Sequence, residues 1–118
     1  MKLIHVGFFR ELPYGDKEGS LLKDSVSSFS GADVERVVTY LKSGVVFIVA
    51  PGVSMDHFSN GQEVIGPLTL LTDGKFLWPS DLAFYLQRYK IAIPSDLLRH
   101  METNGWKIPS VDISILEM

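Results

Sequence analysis

The sequence predicts an α+β domain, in which about three helices pack on a small, mostly antiparallel sheet that contains a central apolar strand and a β-hairpin. Three observations support this prediction: an amphipathic pattern from Asp33, a turn pair at Asp73-Gly74 between two apolar runs, and the segment Pro-Ser-Asp-Leu at residues 79–82 and again at 94–97. Helices and strands are mixed without a regular strand–helix–strand alternation, which favours an antiparallel sheet. The chain has 118 residues, 46% of them hydrophobic, so residues 1–118 are expected to form a single domain with its own core.

The first predicted element is a strand over residues 3–9, which are rich in β-favouring side chains. Residues 11–19 follow with closely spaced proline, glycine and aspartate, so an exposed loop is expected there. A helix then begins near Asp33, because apolar residues recur at i, i+3, i+4 and i+7. These residues are Val34, Val37, Val38 and Leu41. Ser30 or Asp33 can cap this helix, and Gly44 stands where a left-handed residue commonly ends one.

Residues 45–50 form a continuous apolar run with β-branched residues and no polar alternation. A strand that is apolar on both faces is expected to be covered on both faces, so this run predicts the central strand of the sheet. Pro51-Gly52 is expected to end it. Residues 53–66 lack a clear period and contain the turn pair Asn60-Gly61, and we interpret them as mostly loop.

The strongest local signal is the pair Asp73-Gly74, which suits a two-residue hairpin turn because both positions need a positive φ. Such a turn sets the register of the two strands. It pairs Thr72 with Lys75, Leu71 with Phe76, Leu70 with Leu77 and Thr69 with Trp78. Leu71, Phe76 and Trp78 then share one face, which we expect to be the core side. Pro67 and Pro79 are expected to delimit the hairpin, since neither can donate a ladder hydrogen bond.

The two Pro-Ser-Asp-Leu segments each predict a helix, because the serine can cap the first turn and the aspartate lies near the positive end of the helix dipole. The capping residues are Ser80 and Ser95, and the helices are expected over residues 81–89 and 96–104. Residues 106–115 allow two interpretations, a C-terminal strand or an ordered tail.

Composition excludes several classes of function. Without cysteine, the chain has no disulfide, no cysteine-based zinc site and no thiol nucleophile. The charge is nearly balanced, with 11 Lys+Arg against 14 Asp+Glu and no basic run, so nucleic acid is not an expected partner. The longest apolar run, residues 45–50, is far shorter than the roughly 20 residues that cross a bilayer, and no signal peptide is recognisable. We therefore expect a cytoplasmic protein that does not bind a membrane.

No motif indicates a metal, a nucleotide or another cofactor. His5, His57 and His100 show no ligand spacing, and the glycine-rich phosphate-binding motifs are absent. We expect His5 on the polar face of the first strand and His100 on the solvent side of the last helix. Ser54, Asp56 and His57 are the residue types of a nucleophilic triad. Residues so close in sequence rarely reach the required geometry, and a solvated loop is the favoured interpretation.

The loop after the first strand carries the candidate binding residues. Glu11, Asp16 and Glu18 surround Tyr14, and an aromatic residue among carboxylates suits an anchor with an acidic rim for a basic partner. Asp56, in the second loop, is added to this set. The simpler alternative is that these acids are only solvated, as acids in exposed loops usually are.

Four segments resemble a group of small uncharacterised bacterial proteins. They are Phe-Phe-Arg-Glu-Leu-Pro-Tyr-Gly-Asp at residues 8–16, Leu-Leu-Thr-Asp-Gly-Lys-Phe-Leu-Trp-Pro-Ser-Asp-Leu-Ala-Phe-Tyr at residues 70–85, Ile-Pro-Ser-Asp-Leu at residues 93–97, and Gly105-Trp106. Proteins of that kind resemble the immunity partners of polymorphic and contact-dependent toxins. The resemblance follows most of the chain in order and rests on hairpin, capping and core residues. It therefore implies a fold and a protein partner, and it transfers no catalytic residue.

These observations lead to one favoured hypothesis and two alternatives. The favoured one is a non-enzymatic cytoplasmic immunity protein that neutralises a bacterial toxin, such as a nuclease with a basic cleft, by direct binding. Its expected contact residues are Glu11, Tyr14, Asp16, Glu18 and Asp56. The first alternative is a small enzyme or metabolite-binding domain with a pocket near residues 53–66, in which His57 and Asp56 are the polar groups. A buried His57 with a carboxylate partner would favour it, and a solvated His57 would count against it. The second alternative is a scaffold or dimerisation module.

Overall fold

The computed structural model describes residues 1–30, 33–60 and 63–118, and within these ranges the fold is α+β, as predicted. The elements are β1 (Ile4–His5), α1 (Val34–Lys42), β2 (Val45–Met55), β3 (Val64–Thr72), β4 (Phe76–Pro79), α2 (Leu82–Tyr89) and α3 (Ser95–Thr103). Short 3-10 turns lie at Leu22–Ser25, His57–Ser59 and Ile113–Ile115. No helix in these ranges has the length and apolar character needed to span a bilayer.

The four strands form one mixed sheet in the order β1-β4-β3-β2. The pairs β2–β3 and β3–β4 are antiparallel, and the two-residue β1, shorter than predicted, runs parallel to β4. The prediction that residues 45–50 form the central strand is therefore wrong, because they belong to β2 at an edge. Val46 and Val49 are 47% and 73% exposed. The apolar run over residues 45–50 favours a strand, but its position in the sheet depends on which strands pair with it.

Strand β2 also extends further than the sequence predicts. It continues past Pro51-Gly52 to Met55, and the register shifts between Val49 and Val53. Gly52 has a φ of 88°, a conformation that glycine adopts without strain. Pro67 lies inside β3, opposite Val53, and so does not mark the start of the hairpin, whereas Pro79 is the last residue of β4. The predicted loop over residues 53–66 shrinks to a short connection, and Gly61 of the predicted Asn60-Gly61 turn lies outside the described residues.

The β3–β4 hairpin forms, but its register differs by two residues from the prediction. Leu71 pairs with Trp78 and Thr72 with Leu77. The turn is longer than two residues because side chains close it: Asp73 Oδ1 accepts the N–H groups of Lys75 and Phe76 at 3.0 and 2.9 Å. Since a shift of two residues preserves the faces, Leu71, Phe76 and Trp78 do face the main core together, as predicted.

The main core lies between this face of the sheet and the helices. Trp78 is fully buried, and its Nε1–H donates to the carbonyl of Leu41 at the end of α1. Asp33 caps α1 as predicted, by accepting the N–H of Arg36 at 3.2 Å. Gly44 is not the predicted left-handed residue. A Cβ there would lie 2.8 Å from Trp78 Cζ2, so glycine is required for close approach to the sheet.

Both predicted C-terminal helices are present, but serine caps neither of them. The hydroxyl of Ser80 instead donates to the carbonyl of Pro67 and accepts the N–H of Thr69, which ties the start of α2 to β3. Ser95 is the first residue of α3 and has no capping hydrogen bond. Residues 106–115 form an ordered tail with one 3-10 turn, and beyond them Lys2 and Glu117 make a single parallel bridge.

Candidate functional site

The loop over residues 8–20 is closed by hydrogen bonds within its own backbone. Arg10 N–H donates to the carbonyl of Ser20 at 3.0 Å, and Asp16 N–H donates to that of Phe8 at 3.1 Å. A Cβ at Gly15 would lie 1.7 Å from the carbonyl oxygen of Phe9, so only glycine permits this fold of the loop. The turn formers of the sequence therefore produce a compact, ordered loop.

Glu11 is partly exposed, and its carboxylate supports this loop. Its Oε1 accepts the N–H of Leu22 at 2.6 Å, and its Oε2 accepts that of Lys23 at 2.9 Å. Burial acts to raise the pKa of Glu11, but the hydrogen bonds from Lys23 and Leu22 outweigh it, and the pKa is lowered. Both carboxylate oxygens are thus used to fix the return of the loop into the 3-10 turn Leu22–Ser25.

Tyr14 anchors the tip of the loop to the body of the protein. Its ring is half-buried and meets the ring of Phe8 edge-on, with centroids 6.2 Å apart. Its hydroxyl donates to Oδ2 of Asp81, the residue that precedes α2. Ser54 on β2 donates to the same oxygen at 2.5 Å. Asp81 therefore joins the loop, the edge strand and the start of α2.

Asp81 is 1% exposed, and its second oxygen, Oδ1, has no hydrogen-bond partner among the described residues. Burial raises the pKa of Asp81, and the hydrogen bonds from Ser54 and Tyr14 only partly oppose this. Burial and the charge of Asp81 also raise the pKa of Tyr14. A buried carboxylate with one unused oxygen is uncommon.

The sequence contained no local signal for this role of Asp81. The second Pro-Ser-Asp-Leu segment places Asp96 at the equivalent position, and that aspartate is exposed and forms an ion pair with Arg99. The same four residues thus bury one aspartate and expose the other. Only the packing of Tyr14 and Ser54 distinguishes them.

Asp16 and Glu18 lie on the outside of the loop. Asp16 Oδ1 accepts the N–H of Glu18 at 3.0 Å, and both side chains are exposed. The surrounding surface mixes both signs of charge: its exposed acids are Asp16, Glu18 and Asp24, and its exposed bases are Arg10, Lys17 and Lys23. The surface is therefore charged without being an acidic patch.

Asp56 lies in the interior, on the connection after β2. Its side chain is fully buried, Oδ2 accepts the hydroxyl of Tyr89 at 2.6 Å, and Oδ1 accepts the N–H of Phe58 at 3.0 Å. Four of the five predicted contact residues thus lie on one loop. Asp56 lies elsewhere, where it stabilises the connection after β2. Of the five, Asp16 and Glu18 are the exposed ones.

The residue types of a triad at 54–57 are not assembled as one. Ser54 is hydrogen-bonded to Asp81, whereas Asp56 is bonded to Tyr89 and Phe58. His57 is exposed, and its ring meets that of Phe58 edge-on with centroids 5.3 Å apart. This exposure counts against a pocket that uses His57.

A cleft of about 350 Å³ opens beside the loop. Its walls come from the segment after β1, the loop itself and the α2–α3 connection. The lining residues are His5, Val6, Gly7, Phe8, Phe9, Asp16, Gly19, Ser20, Ser25, Leu82, Ala92, Ile93 and Pro94. Among the described residues of this lining, Asp16 is the one acid, and none is a lysine or an arginine. Sequence reasoning missed the cleft, because its walls come from distant parts of the chain.

A second buried polar network lies at the hairpin turn. Asp73 is 2% exposed, and its Oδ2 accepts the hydroxyl of Tyr40 at 2.6 Å. His100 Nε2 is 3.4 Å from the same oxygen, and Asn104 Nδ2 donates to Tyr40 at 3.0 Å. The side chain of His100 is only 20% exposed, so its predicted position on the solvent side of α3 is wrong. Contact with the hairpin turn draws it inward.

The described residues contain no group of three or more histidine, aspartate or glutamate side chains placed to hold a metal ion. No family model matches the chain, and no curated protein or solved structure matches it at significant similarity.

Proposed function

We propose that this chain is a non-enzymatic protein-binding module, and most specifically a cytoplasmic immunity protein that neutralises a bacterial toxin by direct binding. Its partner is a basic toxin domain, and neither a cofactor nor nucleic acid nor a membrane takes part. The observation that supports this proposal is the ordered loop over residues 8–20, which presents Asp16 and Glu18 to solvent beside a cleft.

Order in the free protein favours binding through this loop. A mobile loop loses conformational entropy when a partner immobilises it, and that loss weakens the complex. Here the loop is already ordered during folding. The order comes from the backbone hydrogen bonds of Arg10 and Asp16 and from the bond between Tyr14 and Asp81. The loop therefore presents a preformed surface.

The predicted contact residues divide into two roles in this proposal. Asp16 and Glu18 touch the partner, and their carboxylates pair with individual basic side chains at short range. Glu11 and Tyr14 hold the loop in place, and Asp56 holds the neighbouring connection after β2. Substitution of the second group weakens binding through the shape of the loop.

The alternative of a metabolite pocket near residues 53–66 receives less support. It requires free polar groups facing a cavity, but Ser54 and Asp56 are buried and hydrogen-bonded to other residues. His57 is exposed to solvent. This alternative predicts a small-molecule ligand and no protein partner.

The proposal is tested by expressing the polypeptide encoded by the reading frame adjacent to this gene in a bacterial host. We expect growth arrest, rescue on co-expression of this chain, and loss of rescue with the double substitution Asp16→Lys/Glu18→Lys. A matched control is Glu102→Lys/Glu117→Lys, which makes the same change of charge at exposed positions on α3 and the C-terminal tail. The control should rescue like the wild type.

A neighbouring polypeptide that does not arrest growth, or arrest that this chain does not relieve, would contradict the immunity role. Full rescue by the Asp16→Lys/Glu18→Lys variant would contradict the proposal that Asp16 and Glu18 contact the partner. The thermal transition of both double variants, measured alongside, separates loss of contact from loss of folding.

A further inference from the structure

We propose, on the basis of the function above, that the cleft beside the loop receives one arginine or lysine side chain of the protein partner. The side chain enters along the apolar walls, and its cationic end meets the carboxylate of Asp16. The cleft would thus contain the anchor point of the complex.

The walls of the cleft suit a long aliphatic stem. Phe8, Phe9, Leu82, Ile93 and Pro94 contribute apolar surface. Arginine and lysine carry several methylene groups between the backbone and the charge, and these groups pack on apolar surface while the charged end stays near water. A volume of about 350 Å³ accommodates one such side chain.

The charge of the cleft selects a cation. Among the described residues that line the cleft, Asp16 is the one carboxylate, and none is a lysine or an arginine. Its Oδ1 accepts the N–H of Glu18, whereas no described residue donates a hydrogen bond to its Oδ2. An incoming guanidinium or ammonium group can therefore form a charge-assisted hydrogen bond there without displacing a bond of the loop.

The cleft is preformed, because glycines place two of its walls. A Cβ at Gly19 would lie 2.7 Å from the carbonyl oxygen of Phe8, and one at Gly7 would lie 3.0 Å from Leu82 Cδ1. Gly7 also has a φ of 85°, which disfavours any other residue. The loop and the α2 wall thus keep their spacing in the free protein, which lowers the entropy that binding must overcome.

The test uses a probe that needs no partner, N-acetyl-arginine methylamide, titrated into the isotope-labelled full chain and followed by amide chemical shifts. We expect saturable shifts confined to residues that line the cleft, among them Phe8, Gly19 and Ile93. Asp16→Asn should weaken binding by about tenfold, since it removes the charge from the hydrogen bond. The uncharged analogue N-acetyl-norleucine methylamide should bind the wild type no better than the arginine probe binds Asp16→Asn.

Two further variants make the test specific. Asp24→Asn makes the same chemical change at a nearby exposed aspartate that does not line the cleft, and it should leave the affinity for the arginine probe within about twofold of wild type. Ala92→Leu, which narrows the cleft, should weaken binding of both probes. Shifts scattered over the surface, or equal losses of affinity with Asp16→Asn and Asp24→Asn, would overturn the proposal.

The outcomes for the cleft and for the immunity role are distinguishable. Specific binding of the arginine probe without protection against the neighbouring polypeptide would retain the cleft and reject the immunity role. Full protection by Asp16→Asn would retain the role and reject the cleft as the anchor point.

Discussion

Two buried aspartates flank β4, and their carboxylates differ in how many of their oxygens accept hydrogen bonds. Asp73, before the strand, uses both oxygens: Oδ1 accepts two backbone N–H groups and Oδ2 accepts the hydroxyl of Tyr40. Asp81, after the strand, receives Tyr14 and Ser54 on one oxygen and leaves the other unpartnered among the described residues. The Asp73 network closes a hairpin and fixes the scaffold. The Asp81 network attaches the candidate binding loop to that scaffold, at the cost of a poorly satisfied buried carboxylate.

Because Asp73 uses both of its oxygens, we expect Asp73→Ala to have the largest effect on stability. It leaves the N–H groups of Lys75 and Phe76 and the hydroxyl of Tyr40 without their acceptor. Each buried donor left unpaired costs about 1–3 kcal/mol, so we expect a loss of about 3 kcal/mol or more in the free energy of unfolding. Urea denaturation measures it. A loss below about 1 kcal/mol would show that the turn does not depend on this side chain.

Asp81→Asn should have a smaller effect at neutral pH, within about 2 kcal/mol of wild type, because an amide oxygen still accepts from Tyr14 and Ser54. Its distinctive effect is on the pH dependence of stability. The pKa of Asp81 is raised in the folded protein by burial, above the value of about 3.9 in unfolded chains. The folded state therefore binds this proton more tightly than the unfolded state does.

The stability that comes from protonated Asp81 is fully present below about pH 3.9 and is lost as pH rises through its folded pKa. Asp81→Asn does not lose stability in this way, because asparagine does not titrate. The free energy of unfolding of Asp81→Asn should consequently improve relative to wild type between about pH 4 and about pH 7. Urea denaturation at both pH values measures the two free energies of unfolding, and a variant that becomes less stable relative to wild type as pH rises would contradict the assignment.

Tyr14→Phe should cost about 1 kcal/mol, the usual net value of one hydrogen bond. The ring stays against Phe8, so the loss reports the bond from the hydroxyl to Asp81. Amide hydrogen exchange should accelerate most over residues 10–19, which Tyr14 anchors. Equal acceleration across β3 and β4 would indicate that Tyr14 supports the whole fold and not this loop.

Asp16→Asn should change the free energy of unfolding by no more than about 0.5 kcal/mol, as is usual for exposed positions. Its effect is expected on binding alone, which makes it the counterpart of Asp73→Ala. Thermal denaturation beside the probe titration measures both quantities. A large loss of stability would mean that Asp16 belongs to the scaffold.

The extent to which the sequence predicted the structure depends on the range of the interactions involved. The helix at Asp33 and the shared face of Leu71, Phe76 and Trp78 were predicted correctly, because periodicity and capping act within a few residues. The hairpin register was predicted incorrectly, because the Asp73 side chain accepts hydrogen bonds from the backbone in the turn. The position of β2 at the edge of the sheet was also predicted incorrectly, because strand order depends on pairing between distant segments.

The candidate site divides in the same way. The sequence predicted a loop rich in turn formers, with Glu11, Asp16 and Glu18 around Tyr14, and the structure contains that loop. It did not predict that Tyr14 and Asp56 turn inward, or that Asp81 lies beneath the loop.

By itself the sequence determined the α+β class, the three helices, the core face of the hairpin and the composition of the loop, all of which follow from local periodicity and turn chemistry. Only the tertiary structure decided which of two identical Pro-Ser-Asp-Leu segments buries its aspartate, and where a cleft opens beside Asp16. The physical reason is that burial and cavities depend on side chains from distant segments meeting in space. Residues 14, 54 and 81 meet only once the chain has folded.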